Sequence, residues 1–277
     1  MFKRLNLFGG KALSQEISVE QRAYLSKIRF KKTIVRLTQL AIFVSFFSLW
    51  ELLARWKWID AFLTSQPSKI YLTIIHLYQQ GILFHHIGIT CLETVLGFSL
   101  GTILGTLIAM ILWWSDFLAK VCEPYLIVLN SLPKIALAPI FIVWIGAGPS
   151  AIIVMALAIS LIITILEVLN GFLGVDQDKV KLVQTFGAGK WQIFTKVILP
   201  SSFHAIINAL KVNVGLSWVG VITGEFLVSK GGIGYLIVYG GQVFQLDLVM
   251  ASVIILAVAA ALMYQAVVYL ERFLVKW

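Results

Sequence analysis

Residues 176 to 200 read Asp-Gln-Asp-Lys-Val-Lys-Leu-Val-Gln-Thr-Phe-Gly-Ala-Gly-Lys-Trp-Gln-Ile-Phe-Thr-Lys-Val-Ile-Leu-Pro, the longest polar interruption in the apolar two-thirds of the sequence. Asp176 and Asp178 sit where acidic groups favour a helix N-terminus. Val180, Val183 and Gly187 recur at i, i+3 and i+7, and Gly187 is able to end the helix in a left-handed conformation. The segment therefore predicts a helix of about three turns. Gly-Ala-Gly at 187–189 leaves almost no side chain, so another backbone can approach closely. Trp191, Phe194 and Val197 then form a second apolar stripe, which Pro200 stops or kinks. The whole reads as a polar handle between two membrane spans.

The chain around it is apolar. Of 277 residues 60% are hydrophobic and only 13% charged, against about a quarter charged in a soluble domain, which defines a polytopic membrane protein. Cys91 and Cys122 fall in or beside apolar helices without metal-ligand spacing and read as buried free thiols. The first apolar run, 34–54, is long enough to span, and no small-residue cleavage site follows it. Before it, residues 1–33 form a basic cytoplasmic segment with a helix start at Ser18 and Glu20. Trp50, Trp56 and Trp58 mark an interface. Pro67-Ser68 opens an amphipathic helix through Tyr71, Ile74, Ile75 and Tyr78 on the opposite side of the membrane.

Five more spans follow. The second, 88–114, carries Gly97, Gly101, Gly105 and Ala109 at four-residue spacing, a small-residue stripe that admits a neighbouring helix to backbone contact. A short turn at Ser115–Lys120 leads to the third, 124–145, which Asn130, Pro133, Lys134 and Pro139 interrupt. Broken helices are tolerated where freed carbonyls face protein or a water-filled cavity, so this span belongs near a pathway. The fourth covers 150–171, the fifth 203–228 and the last 248–270. Between the last two, Gly231, Gly232, Gly234, Gly240 and Gly241 predict tight turns and a short re-entrant segment.

Net charge +9 need not imply a nucleic-acid partner. Nine Lys or Arg precede or edge the first span, and Lys120, Lys179, Lys181, Lys190, Lys196, Arg272 and Lys276 join them on the same side; only Arg55, Lys57, Lys69 and Lys230 lie opposite. By the positive-inside rule the loop 172–202 and both termini are cytoplasmic. Glu93, Lys134, Glu167, Lys211 and Glu225 lie within or at the edges of spans, where each needs a partner, a proton or water. Lys211 and Glu167 are near enough to the interface to snorkel, whereas Lys134 and Glu225 neighbour broken backbone and are candidates for a pathway with Asn130. His76, His85 and His86 lack the spacing and companions of a metal set. No phosphate-binding Gly-x4-Gly-Lys-Ser/Thr loop and no nucleophile–base arrangement occurs, so the expectation is a protein that is not an enzyme, with no cofactor and no metal.

The spacing of Gly187 and Val197-Ile198-Leu199-Pro200 resembles the cytoplasmic loop of permease subunits of binding-protein-dependent ABC importers, although Lys181-Leu182-Val183 replaces that pattern's leading Glu-Ala-Ala. Gly224-Glu225-Phe226-Leu227, Gly232-Ile233-Gly234-Tyr235-Leu236-Ile237 and the run from Ser131-Leu132-Pro133-Lys134-Ile135-Ala136 to Trp144-Ile145-Gly146 resemble its nitrate/sulfonate/taurine-type branch. The resemblance implies an all-α integral membrane protein of six transmembrane helices, the type I ABC importer permease fold, with a cytoplasmic coupling helix and a permease core over 88–272. Residues 34–87 would be the first helix and extracytoplasmic segment, and 273–277 a cytoplasmic tail. It further implies a second permease copy, two cytoplasmic ATPase subunits and an extracytoplasmic solute-binding protein, in a cell (inner/plasma) membrane whose lipid surrounds the helices. Val180, Val183, Gln184, Phe186, Gly187, Ala188 and Gly189 would couple to the ATPase. The solute implied is a nitrate-, sulfonate- or taurine-like anion or a pyrimidine vitamin precursor. A proton-coupled secondary transporter working through Glu93 or Glu225, and a membrane receptor or structural subunit that transports nothing, remain alternatives.

Overall fold

A computed structural model describes residues 19–274. The basic positions Lys3, Arg4, Lys11 and Lys276 lie outside the described residues. The chain divides after Ile59 into two units. In the first, the expected helix start near Ser18 and the expected span merge into one helix, α1 (Val19–Arg55). At 1.5 Å per residue it measures about 55 Å, well beyond the ~30 Å hydrocarbon layer. The turns carrying Lys27, Arg29, Lys31 and Lys32 therefore extend past the apolar part. Phe43, Phe47 and Trp50 lie against one another along one side as tilted rings, Phe43 to Phe47 at 4.7 Å between ring centroids.

The second unit opens with α2 (Ala61–Thr64), whose N-terminal Phe62 N–H is capped by Asp60, and α3 (Pro67–Gln79), which Pro67 starts. It continues through α4 (Leu83–Trp114), α5 (Asp116–Ser131), a 3₁₀ turn at Lys134–Leu137, α6 (Ala138–Ile145) and α7 (Pro149–Leu173). Next come α8 (Gln177–Thr185), α9 (Lys190–Ile193), a π-helical turn at Phe194–Ile198, α10 (Leu199–Ser201), α11 (Phe203–Val228), α12 (Ile233–Gln242) and α13 (Leu246–Leu274). Among the described residues there is no strand.

Among the described residues five helices are long and apolar enough to cross a membrane: Tyr24–Arg55, Leu83–Trp114, Pro149–Leu173, Phe203–Val228 and Leu246–Phe273. The expected third span is a sharply bent helix pair, the geometry of a broken span or a re-entrant loop. Instead of a single helix over 124–145, Asp116–Ser131 and Lys134–Ile145 meet at 88°. The cause is local: Leu132 is extended, Pro133 supplies no N–H, and the residue before a proline is driven out of helical geometry. The turn expected over Ser115–Lys120 contracts to Ser115 alone, whose Oγ accepts the Leu118 N–H and starts α5 at once.

Helices α4, α7 and α11 make the core, and small residues set their spacing. A Cβ on Gly97 would stand 2.5 Å from Ala156 Cβ, and one on Gly105 2.6 Å from Thr164 Cβ, so the α4 stripe lies on α7 running parallel to it. Gly101 meets Ser160 in the same row. From the other side α11 runs antiparallel, with Gly220 and Gly224 against Ala156 and Ile152, and Gly171 of α7 against Ala205. Ala151, Ile152, Ala156 and Val168 are accordingly fully buried. Lys211 of α11 forms an ion pair with Glu271 of α13 at 2.8 Å, which gives the intramembrane lysine its partner. Glu167 stays exposed on α7.

Candidate functional site

At the far end of α7 the chain leaves the core and forms the handle. Asp176 accepts the Asp178 N–H at 3.0 Å and starts α8. Gly187, at φ +79°, ends it. Its N–H donates to Gln184 O at 2.9 Å, and the Ala188 N–H reaches Val183 O at 3.3 Å. This is a Schellman cap, which a residue with a Cβ adopts only under strain.

The two sides of α8 have different tasks. Val180, Val183 and Ala188 pack inward on a buried cluster that includes Leu112, Leu169, Phe172, Ile193 and Phe194. Gln184, Phe186, Gly187 and Gly189 face outward. Phe186 is 81% exposed, Leu182 58% and Trp191 65%. The valines that the sequence groups with Phe186 thus hold the helix to its own body, and the free apolar surface consists of Leu182, Phe186 and Trp191.

Aromatic packing fastens the segment after α8. Phe194 lies 4.9 Å from Trp113 and 5.5 Å from Phe172, and Trp191 lies 6.2 Å from Trp114. Lys190 Nζ donates to Trp114 O at 2.6 Å, a basic group satisfying an orphan carbonyl at the C-terminus of α4, and stands 5.5 Å from the Trp114 ring. The Leu199 N–H reaches back five residues to Phe194 O. That π turn directly precedes Pro200, whose ring crowds the carbonyl an α-helix would place behind it. Ser202 Oγ then donates to Gly171 O at 2.8 Å, locking the handle's exit beside its entry.

At the break between α5 and α6, Lys134 Nζ donates to Asn130 O at 3.0 Å and lies 3.5 Å from Asn130 Oδ1. Two of the sequence-predicted pathway residues are thus brought together, with Asn130 exposed. The third, Glu225, lies in a separate buried network at the other end of α11. Its carboxyl oxygens accept Thr90 Oγ1 at 2.7 Å, the Gly234 N–H at 2.5 Å and the Tyr235 N–H. Thr90 Oγ1 accepts the Ile233 N–H at 2.7 Å, and His86 Nδ1 accepts the Gly232 N–H at 2.9 Å while its ring stacks on Tyr235. Four otherwise orphan N–H groups at the start of α12 are thereby satisfied by α4 and α11. Gly232, at φ +100°, and Gly234 leave the space the carboxyl fills. The glycines of 231–234 thus predicted a turn, and the structure adds the carboxyl they fold around. Among the described residues no group of three or more His, Cys, Asp or Glu could hold a metal.

A small-residue core of spanning helices, one sharply bent helix pair and a capped handle between the fourth and fifth spans define the type I ABC importer permease fold. The chain belongs to the family described as binding-protein-dependent transport system inner membrane component, which matches residues 101–276. It is a multi-pass membrane transport component and not an enzyme. It is 32% identical over 231 residues to the putative aliphatic sulfonates transport permease protein SsuC of Bacillus subtilis (strain 168), covering 83% of each chain. To the formylaminopyrimidine transport permease protein ThiX of Halalkalibacterium halodurans it is 26% identical over 247 residues, 89% of this chain and 98% of that one. These relatives belong with the nitrate/sulfonate/taurine-type branch that the sequence resembles. Among solved structures, a permease chain of the MetNI methionine ABC transporter in an inward-facing conformation superposes with a TM-score of 0.63 at 19% identity, over 72% of this chain and 98% of that one.

Proposed function

We propose that this chain is the translocating subunit of an ATP-driven importer, that α8 is its coupling helix, and that two copies pair over two cytoplasmic ATPase subunits. The observation that carries this reading is the outward surface of α8. A helix held to its own body by Val180 and Val183 still presents Leu182 and Phe186 beside a glycine-capped end. An exposed aromatic on a short rigid helix is the anchor a helix-in-groove contact uses. The ATPase pair closes on ATP and moves the two handles. The spans then exchange inward-open and outward-open forms to the extent that ATP has different affinities for the two states. Asn130 and Lys134, at the break in the third span, line the pathway. Glu225 fastens the α12 hairpin to α4. The handle and both termini face the cytoplasm, in line with the bias of Lys and Arg, and the exposed apolar sides of α1 and α13 face lipid.

The solute is a small nitrate-, sulfonate- or taurine-like anion or a pyrimidine vitamin precursor, delivered by an extracytoplasmic binding protein. Support comes from the sulfonate and formylaminopyrimidine names of the relatives, and from Lys134 as a cation at the break. Uptake into vesicles assembled with ATPase and binding protein tests the reading. It predicts transport that stops on ATP depletion and persists when the proton gradient is collapsed. Transport that follows the proton gradient and ignores ATP would identify a secondary transporter instead.

A further inference from the structure

The handle and the turn that starts α12 stand at opposite ends of one helix, α4, and side chains tie each of them to it. At the handle end the tie is Lys190. It opens α9 directly after Gly187, Ala188 and Gly189, the joint that follows α8. Its Nζ donates to Trp114 O, the last carbonyl of α4, at 2.6 Å, and stands 5.8 Å from the Trp113 ring and 5.5 Å from the Trp114 ring. A helix C-terminus draws a cation by its partial negative charge, and two indole rings add to that attraction. Trp113 also meets Phe194, and Trp114 meets Trp191, so Lys190 completes an aromatic seam whose inner member, Phe194, is buried.

The other contacts of the handle are of a different kind. Val180 and Val183 hold α8 to the body by apolar packing, which is non-directional and lets a helix shift over its cluster. The bond from Lys190 is charge-assisted and directional, and it fixes one point of the handle to one point of α4. At the far end Thr90 takes the Ile233 N–H and donates to Glu225, and His86, one turn earlier, takes the Gly232 N–H. Between Thr90 and Trp114 α4 contains no proline and is one unbroken helix, about 36 Å long at 1.5 Å per residue. Such a helix is a stiff element that carries a displacement of one end to the other. The bent pair of α5 and α6 offers no comparable path.

We propose that Lys190 is a positioning residue for transport: it ties the handle to α4, and α4 carries the handle's displacement to the turn that starts α12. The proposal rests on the reading of α8 as the coupling helix and adds the route by which its motion crosses the membrane.

The test is hydrogen exchange on the full-length chain purified with its ATPase, comparing the complex in ADP with the complex in ATP and orthovanadate. In the native complex, exchange over residues 229–242 is expected to differ by roughly tenfold or more between the two states. Lys190→Met keeps the apolar stem and removes the charge and the bond. Lys190 is exposed, so the variant should fold and retain the ATPase. Its nucleotide-dependent difference should shrink to about twofold or less, while its exchange in ADP matches that of the native complex. Lys190→Arg, whose guanidinium donates to a carbonyl and stacks on indole, should restore the difference. An undiminished difference in Lys190→Met would overturn the proposal, as would a native complex in which 229–242 exchanges alike in both states. So would a Lys190→Met chain that exchanges faster in ADP, which makes Lys190 a structural brace, or one that loses the ATPase, which makes it a docking contact. Co-purification separates this failure from that of the reading beneath it. An ATPase that stays bound while 229–242 ignores the nucleotide removes only the route, whereas a native chain that purifies alone removes the coupling helix itself.

Discussion

Thr90 and Glu225, 135 residues apart, meet in a 2.7 Å hydrogen bond with both side chains buried. Through it α4 and α11 jointly hold the first turn of α12. Each partner also takes a backbone N–H of that turn, so removing one strands buried donors.

Glu225→Ala should therefore loosen the hairpin. A buried donor left unsatisfied costs about 1–3 kcal/mol, and at least two are stranded here. Hydrogen exchange over residues 229–242 is expected to rise by tenfold or more, with little change in α7. Uniform protection in the variant would contradict the fastening role. Glu225→Gln, which keeps one acceptor oxygen, should fall between the two.

Glycines of the core can be compared within one protein. A Cβ on Gly220 would lie 2.6 Å from the Ala156 Cα, which is backbone and cannot swing aside, whereas one on Gly88 meets nothing within 4 Å. Gly220→Ala should lower the midpoint of thermal unfolding in detergent by several degrees through overpacking. Gly88→Ala should leave it unchanged. Equal behaviour of the two would contradict the close packing of α7 and α11.

The Lys211–Glu271 pair gives a third test. Both side chains are about a quarter exposed. Either Lys211→Met or Glu271→Met leaves one charge without its partner, and the double substitution leaves none. Each single variant should therefore be less stable in detergent than the double. A double variant as unstable as the sum of the singles would show the pair to be dispensable as a pair.

How much of this the sequence discloses depends on how local the cause is. Gly97, Gly101, Gly105 and Ala109 announce a contact stripe by spacing alone, and Asp176 and Gly187 announce the two ends of α8. The break at Pro133 is also local, although its angle of 88° is not. The partners of Glu225 and Lys211 lie on other helices and carry no signal in a single sequence. The face of α8 was half legible. By helical spacing Phe186, three residues after Val183, belongs to the valine face. It lies beyond α8 as the C-cap residue, φ −83° and ψ 7°, and that departure from the helix, which depends on the Gly187 turn, leaves its ring outward. The burial of Glu93 beside Glu225 has no sequence signal beyond a carboxyl in an apolar run.

Phe186→Ala should preserve the permease and weaken its ATPase contact. The ring is 81% exposed, so the chain loses little of its own packing. An aromatic anchor is worth about 2 kcal/mol or more at an interface, which corresponds to roughly thirty-fold in affinity. Val183→Asp should instead destabilise the handle, because Val183 packs on the buried cluster. Identical effects of the two on protein yield and ATPase binding would contradict the division of faces.

The most direct test of the coupling role is co-purification from native membranes in mild detergent, comparing the native chain with Gly187→Asp and Phe186→Ala. The account predicts a P-loop ATPase in roughly equal amount with the native chain. It should be depleted in both variants while their membrane insertion is unchanged. An ATPase retained in full by both variants, or one absent from the native chain, would contradict it.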